Sequence, residues 1–141
     1  EEVLGGDENF DPDPRGFIYL LNGQKIIGAS SRRFDGAYPS LYNPSIVWEI
    51  KEYYYTKSFG SRVADSVYET QLDGYEFNEI RNRTGQRVHH VMFIDSYNAF
   101  WEQGKSYLCK FVDTLNMGLI DELIIGREVL TRWPEVLSQF K

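Results

Sequence analysis

Hydrophobic and polar residues alternate in short runs along the first part of the chain, which is the pattern of β-strands. The runs FIYLL and KIIGAS flank Asn22-Gly23, a two-residue turn signal that predicts a β-hairpin. Further strands are predicted at SRRFDGAY and, after the Pro-bounded loop PSLYNP, at SIVWEIKEYYYT. Residues 1–16 are rich in Gly, Asp and Pro and have no periodicity, so they are predicted to form an irregular lead-in.

Helical spacing replaces this alternation after the KSFG loop. Ser61 is placed to cap a helix from about Arg62 to Ile80, with Gly85 in the turn that closes it. The run VHHVMFID then has the short apolar character of a strand. Asp95 or Ser96 is expected to cap the helix that follows.

The second helix is predicted from the apolar stripe that contains Phe100 and Phe111, and Gly118 is expected to end it. LIDELIIG predicts another strand, and REVLTRWPEVLSQF predicts a last helix, bent or restarted at Pro134, which cannot donate the backbone hydrogen bond. The predicted order is β-β-β-β-α-β-α-β-α. Strands separated by helices indicate parallel pairing, so we expect an α/β fold with a mixed sheet flanked by helices.

Composition limits the kinds of protein that fit. The chain has 141 residues, 42% of them hydrophobic, which suits one domain over residues 17–141. It begins without Met, which suggests a part of a longer protein with further domains. It contains no apolar run of about 18 residues, so we expect no membrane span. Cys109 is the single cysteine, which favours a reducing cytoplasm and a buried, unreactive side chain.

Glu49 and Lys51 are two residues apart on a mostly apolar strand, so their side chains share one face. A buried charge must be paired, solvated or bound to a ligand such as a metal ion. One interpretation is therefore a surface ion pair on an edge strand. The other is a polar site.

Asp35 lies fourteen residues before Glu49. This separation allows one strand to end, a loop to reverse the chain at Pro39 and Pro44, and the next strand to run alongside the first. The two carboxylates can then converge, and carboxylate oxygens are the ligands that Mg²⁺ prefers. The alternative is that Asp35-Gly36 is a hairpin turn, since Asp-Gly is a strong turn dipeptide.

Gln71 and Tyr75 are four residues apart on the predicted helix, so both project from one side. Each can equally be a boundary residue without a function. In combination with the acids and the lysine, they complete a pattern.

That pattern resembles the PD-(D/E)XK phosphodiesterases, which include type II restriction endonucleases and RecB-like nucleases. Their motifs are an Asp at a strand end, a (D/E)-x-K on the next strand and, in the RecB-like branch, a Q-x-x-x-Y on the following helix. Here these are Asp35, Glu49-Ile50-Lys51 and Gln71 to Tyr75. Such proteins usually carry a helix before the first strand, for which this sequence shows no clear signal.

The resemblance implies a restriction-endonuclease-like fold and a Mg²⁺-dependent deoxyribonuclease, for which Mn²⁺ can substitute. Asp35, Glu49 and the carbonyl of Ile50 would hold the metal, Lys51 would act on the attacking water, and Gln71 and Tyr75 would position water, metal or phosphate. Endonuclease action within a restriction, repair or anti-phage enzyme is expected, and cleavage of both DNA strands would favour a homodimer.

A net charge of −6 means that contacts with DNA phosphates must be local, through basic side chains such as Arg32 and Arg62. A second reading keeps the fold as a non-catalytic module that binds nucleic acid or protein. A third is an unrelated α/β domain in which Asp35 lies in a turn and Glu49 and Lys51 form a surface pair.

Overall fold

The computed structural model describes residues 13–53, 59–95 and 98–141, except for the side chains of residues 59, 60 and 98. Within these residues the elements follow the predicted order β-β-β-β-α-β-α-β-α. They are β1 (Tyr19–Asn22), β2 (Lys25–Ala29), β3 (Gly36–Tyr38), β4 (Ile46–Lys51), α1 (Phe59–Thr84), β5 (His89–Ile94), α2 (Lys105–Asn116), β6 (Glu122–Ile125) and α3 (Arg132–Ser138). A π-helical segment, Asn98–Gln103, precedes α2, and a 3-10 helix, Gly126–Leu130, precedes α3.

Four strands form one mixed sheet in the order β3-β4-β5-β6. β3 and β4 are antiparallel, whereas β4, β5 and β6 are parallel neighbours. The predicted parallel pairing in the second half of the chain is therefore confirmed. The pairing is parallel because α1 and α2 return the chain to the same end of the sheet before each new strand begins. β1 and β2 form a separate antiparallel hairpin.

Hydrophobic side chains cover both faces of this sheet, so the domain has three layers. Side chains of α1 and α2 pack on one face, in a cluster of Val63, Val67, Met92, Ile94, Phe100, Phe111 and Ile120. Next to it, the hairpin and the end of α1 enclose Ile18, Leu20, Phe34, Val47, Ile80 and Val88. On the opposite face, α3 covers Tyr38, Ile46, Trp48, Val91, Phe93 and Ile124.

The turns differ from the prediction in two places. The hairpin turn contains Gly23 and Gln24, one residue later than expected, and Gly23 supplies the positive φ of 60°. Asp35-Gly36 is not a turn, because Gly36 already pairs with Trp48 in the β3–β4 ladder. The turn interpretation of Asp35 is therefore wrong.

The first helix is longer than predicted. It begins at Phe59 and ends at Thr84, so Ser61 lies inside it and does not cap it. Its end is as expected: Gly85 has a φ of 78°, and its N–H donates to the carbonyl of Arg81 at 2.8 Å. A glycine with positive φ satisfies the last carbonyls of a helix without steric strain.

The later helices also begin differently. Gly104 occupies the N-cap of α2, so the prediction that Asp95 caps this helix is wrong. Ser96, the other predicted cap, lies outside the described residues. The last helix restarts at Arg132, and Pro134 falls within its first turn. An N–H in that turn has no partner inside the helix, so proline costs little there.

Two expectations from composition have structural outcomes. Cys109 is exposed on α2, so its prediction as a buried residue is wrong. Among the described residues, no helix combines the length and the hydropathy that a membrane crossing requires.

Candidate functional site

Glu49 and Lys51 lie at the carboxyl end of β4, where the strand leaves the core. Strand alternation directs Val47, Glu49 and Lys51 toward α1, and directs Trp48 and Ile50 toward α3. Glu49 is only 4% exposed. Lys51 Nζ lies 3.2 Å from Glu49 Oε2, which makes this a largely buried pair and not the surface pair of the alternative interpretation.

Asp35 is fixed to the same strand from the neighbouring one. It directly precedes β3, and its carboxylate Oδ2 accepts a hydrogen bond from the Ile50 N–H at 2.7 Å, while its own N–H donates to the carbonyl of Trp48 at 3.1 Å. Both bonds tie Asp35 to β4 on either side of Glu49. The two acids of the proposed motif are therefore adjacent.

Gly36 makes this approach of β3 and β4 compatible with a large side chain. A Cβ at Gly36 would lie 2.0 Å from two ring carbons of Trp48, so only glycine leaves room for the indole. The ring is also in edge contact with Trp133 of α3. Asp35 thus places a carboxylate on one face of the β3–β4 pair, and Gly36 leaves room for the Trp48 indole on the other face.

Arg32 supplies a second cation to the cluster. Its Nη1 lies 2.8 Å from Glu49 Oε1 and 3.4 Å from Glu69 Oε2. Its Nε donates to Asp73 Oδ2 at 2.9 Å, and Nη2 donates to the same oxygen. One guanidinium therefore contacts three carboxylates of the chain itself.

Glu69 and Asp73 lie four residues apart on α1, on the side that faces β4. Asp73 is buried, and Glu69 is half-exposed and also lies 3.8 Å from Lys51 Nζ. The structure thus brings together two cations, Arg32 and Lys51, and four carboxylates, Asp35, Glu49, Glu69 and Asp73.

Gln71 and Tyr75 are not brought into contact with this cluster, and their role as site residues stays a prediction. Gln71 is two residues from Glu69, roughly 200° around the helix axis, and its Nε2 donates to Thr114 Oγ1 of α2 at 3.3 Å. Tyr75 is 54% exposed and lines a hollow between α1 and β2. The face of α1 that reaches β4 carries two acids instead.

Burial and charge act against each other on the acids. Burial raises the pKa of Glu49, Lys51 and Arg32 lower it, and Asp35 raises it, with a net upward direction. Burial likewise raises the pKa of Asp73 against the opposing effect of Arg32. Burial lowers the pKa of Arg32, but its hydrogen bond to Asp73 and the charge of Glu49 raise it overall. Burial is therefore the main cause that disfavours the ionised form of Glu49 and Asp73, and the two cations oppose it.

The formal charges of the four carboxylates and the two cations sum to −2, which is the charge that one divalent cation neutralises. One oxygen of the cluster, Glu49 Oε1, is buried beside Arg32. This buried oxygen accepts no hydrogen bond, because Arg32 Nη1 is close to it but not aligned for one.

The oxygen atoms of this cluster suit a metal ion, but the number of ligating side chains is too small to hold one alone. The unsatisfied oxygen of Glu49 next to Asp35 suits a hard cation, and Mg²⁺ commonly uses one or two carboxylates, with water and phosphate oxygens completing its shell. However, no group of three or more His, Cys, Asp or Glu side chains in the described part of the chain is arranged to hold a metal by itself. The site therefore fits a cation that is shared with a ligand.

A hollow of about 340 Å³ opens at the carboxyl ends of β4, β5 and β6 beside this cluster. Its lining is mostly apolar and belongs mainly to the α3 face, with Ile50, Phe93 and Ile124 among its residues. Lys51 is at its border. Glu52 and Asp95 also line it, but the ion pairs of Arg32 and Lys51 lie on the α1 side of β4.

The sequence analysis did not identify Glu69 or Asp73 as members of the cluster, and it expected Arg32 to contact DNA phosphates, whereas its guanidinium contacts three carboxylates of the chain. A signal for Asp73 was present: it falls on the buried stripe of α1 with Val63, Val67 and Thr70. A carboxylate at such a position requires a partner. The sequence does not identify the partner, because Arg32 is 41 residues away along the chain.

Comparison with known proteins identifies a family but no function. The family model described as "Domain of unknown function (DUF7687)" matches residues 1–140. No curated protein and no solved structure matches the chain.

Proposed function

Since the chain belongs to the DUF7687 family, whose description assigns no function, we propose from the site that it is a metal-dependent phosphodiesterase that cleaves DNA. The observation that carries this proposal is the attachment of Asp35 to β4 beside the buried Glu49, with Lys51 next on the same face. The arrangement agrees with the resemblance to PD-(D/E)XK nucleases at Asp35, Glu49 and Lys51.

Asp35, Glu49 and the carbonyl of Ile50 would hold Mg²⁺, or Mn²⁺ in its place. When bound, such an ion lowers the pKa of a coordinated water and neutralises charge on the phosphoryl oxygens. The formal charge of −2 in the cluster and Glu49 Oε1, which accepts no hydrogen bond, support cation binding at this place.

Lys51 orients the attacking water and stabilises the negative charge that develops on the phosphate. Its ammonium lies 3.2 Å from Glu49 and 3.8 Å from Glu69, so it is held at the cluster by two acids. A cation fixed in this way costs little reorganisation during the reaction, and such preorganised charges are a large source of catalysis. Arg62, exposed near the start of α1, is available to contact the DNA backbone.

DNA is the substrate class of this proposal because the motif resembles DNA-cleaving enzymes. Endonuclease action, a cytoplasmic setting and a role beside other domains of a longer protein belong to it as well. Cleavage of both strands would require two copies of the site, which a homodimer supplies.

The test is incubation of the chain with supercoiled plasmid and with short duplex and single-stranded DNA, in Mg²⁺, in Mn²⁺ and in EDTA. Asp35→Asn, Glu49→Gln and Lys51→Met variants are assayed beside it, with circular dichroism to verify their folding. Cleavage in Mg²⁺ that disappears in EDTA and in all three variants supports the proposal. Cleavage that persists in folded Asp35→Asn and Lys51→Met proteins contradicts it.

A specific observation favours a second candidate function, a non-catalytic module that binds nucleic acid or protein. Arg32 and Lys51 already place two cations on Glu49, so ion pairing alone can stabilise the acid in the fold. On this reading the cluster joins α1 to the sheet, and Glu49→Gln changes stability but no metal affinity, since there is none to change. Titration of Mn²⁺ into the wild-type chain and the Glu49→Gln variant separates the two functions.

A further inference from the structure

The position of Arg32 on Glu49 has no counterpart in the three motifs of the resemblance. The guanidinium is anchored at one end: Nε and Nη2 both donate to Asp73 Oδ2. Its other end, Nη1, lies 2.8 Å from Glu49 Oε1 without hydrogen-bond alignment. Arg32 therefore makes two hydrogen bonds to Asp73 and an ion pair without a hydrogen bond to Glu49. This difference allows Nη1 to leave Glu49 while Nε and Nη2 stay bound to Asp73.

We propose that Arg32 is the chain's own occupant of the cation position at Glu49, and that it exchanges with a divalent ion while it remains bound to Asp73. The inference rests on the proposed function, because it concerns the same Glu49 site. It assigns to Arg32 a positioning and regulatory role: it keeps the buried carboxylate compensated when no metal is bound and sets the affinity with which a metal displaces it.

Geometry and charge support the exchange. Glu49 Oε1 is buried and accepts no hydrogen bond, so a metal ion gains a free ligand atom when Nη1 moves away. Nη1 already donates to Glu69 Oε2 at 3.4 Å, and Glu69 is half-exposed, so this end of the guanidinium keeps a partner when it leaves Glu49. The aromatic ring of Phe34, 5.4 Å from the guanidinium carbon, supports the rest of the group in place.

The experiment measures Mn²⁺ affinity by electron paramagnetic resonance of the free ion, on the whole chain and without DNA. The variants are Arg32→Gln, Asp73→Asn, Glu49→Gln, Lys51→Met and a matched control, Arg33→Gln. Arg33 is the next residue, has the same charge and contacts Asp13 at 2.9 Å, away from the cluster. Each protein is also unfolded in urea to record its stability.

Removal of a competing unit charge from a ligand oxygen is expected to tighten Mn²⁺ binding, so Kd falls by roughly tenfold or more in Arg32→Gln. Asp73→Asn removes the anchor's charge and leaves Arg32 more strongly attracted to Glu49, so Kd rises by about fivefold or more. Arg33→Gln stays within about twofold of wild type, as expected for a distant charge in solvent.

Opposite directions of the two Kd changes exclude a purely structural role, and a tightening in Arg32→Gln that exceeds that in Lys51→Met identifies the exchange, because Lys51 Nζ lies 3.2 Å from Glu49 Oε2 and its removal measures the effect of charge alone. Arg32→Gln and Asp73→Asn break the same buried ion pair, so both lower the stability, and a purely structural role for Arg32 would weaken Mn²⁺ binding in both. An Arg32→Gln protein that binds Mn²⁺ no more tightly than wild type, or no more tightly than Lys51→Met, overturns the inference. If Arg32→Gln does not fold, Asp73→Asn decides: unchanged or tighter binding overturns it.

Failure of the proposed function gives a different result. Glu49-dependent Mn²⁺ binding by wild type, without the Arg32 effect, overturns only the exchange. Absence of Glu49-dependent binding in both wild type and Arg32→Gln overturns the exchange, and the plasmid cleavage assay then decides separately whether the phosphodiesterase stands. Binding that is detectable only in Arg32→Gln supports the exchange.

Discussion

The carboxylate of Asp35 accepts a hydrogen bond from the backbone N–H of Ile50 at 2.7 Å, so the acid that precedes β3 is attached to the strand that carries Glu49. The attachment explains how a residue outside the ladder is held beside a buried one. Asp35 therefore has two separable roles. Its oxygen accepts a hydrogen bond that stabilises the fold, and its negative charge contributes to the proposed metal site.

Replacing Asp35 with Asn tests the charge while it keeps an oxygen that can accept from Ile50. Because a preorganised charge at the reacting centre is lost, we expect the rate of plasmid cleavage in Mg²⁺ to fall by about 100-fold or more. The midpoint of urea unfolding should change little. A folded Asp35→Asn protein that cleaves at the wild-type rate would show that Asp35 has only the structural role.

Replacing Lys51 with Met removes the ammonium and keeps most of the side chain's length. We expect the cleavage rate to fall by about 100-fold, the scale of losing a positioned proton-transfer or charge-stabilising group. Mn²⁺ affinity should not weaken, because Lys51 is a cation and not a ligand. Single-turnover cleavage at saturating Mn²⁺ measures the first effect, and weaker Mn²⁺ binding would count against the assigned role.

Substitutions of Gln71 and Tyr75 test whether these two residues of the motif take part in the reaction, although they do not contact the cluster. Gln71 donates to Thr114 and Tyr75 is exposed, so neither Gln71→Ala nor Tyr75→Phe removes a group from the cluster. We expect cleavage rates within about threefold of wild type, the size of effects that act only through surface stability. A loss comparable to that of Asp35→Asn would assign both residues to the site.

Replacing Gly36 with Ala tests the close packing of β3 on Trp48. The new Cβ would lie 2.0 Å from the indole ring, so β3 or Trp48 must move. We expect the free energy of unfolding to fall by about 3 kcal/mol, the upper range for overpacking a core. Gly23→Ala is the control: it meets no atom within 4 Å but has a φ of 60°, so it should cost only about 1 kcal/mol. Equal effects in urea unfolding would contradict the packing argument.

His90 predicts how stability depends on pH. It is fully buried between Phe34 and Phe77, its Nδ1 bonds the carbonyl of Leu119 at 3.1 Å, and burial lowers its pKa to about 4. The unfolded state binds the proton near pH 6.5, so the contribution of neutral His90 is complete above that pH and decreases as pH falls toward 4. The loss amounts to roughly 3 kcal/mol over this range.

The measurement is urea unfolding of wild type and His90→Asn between pH 7.5 and pH 4. The difference between the two proteins isolates His90, because Glu49 and Asp73, whose raised pKa values act with the opposite sign, are present in both. The advantage of wild type should shrink as pH falls. An advantage that is constant with pH would show that His90 is not buried in its neutral form.

The sequence predicted the fold well because the elements depend on local patterns. Period-2 and helical spacing locate β4, β5 and α1, and Gly85 closes α1 as expected. The starts of helices were predicted poorly. Ser61 and Asp95 have the chemistry of caps, but packing of the chain around the core decides where a helix begins.

The candidate site was predicted in part, for a physical reason. Asp35, Glu49 and Lys51 are found together because strand alternation and one hairpin-like return of the chain place them. The residues of α1 that contact the cluster were not predicted, since a spacing of four fits both Gln71 with Tyr75 and Glu69 with Asp73. Only the rotation of α1 against the sheet separates these pairs.

The ionic cluster joins β4 to α1 across the carboxyl end of the sheet, through Arg32 between Glu49 and Asp73. On the proposed exchange, cation binding at Glu49 and the position of α1 are linked through Arg32. A cation that enters would loosen one tether of the helix, and a displacement of α1 would in turn alter the affinity of Glu49 for the cation.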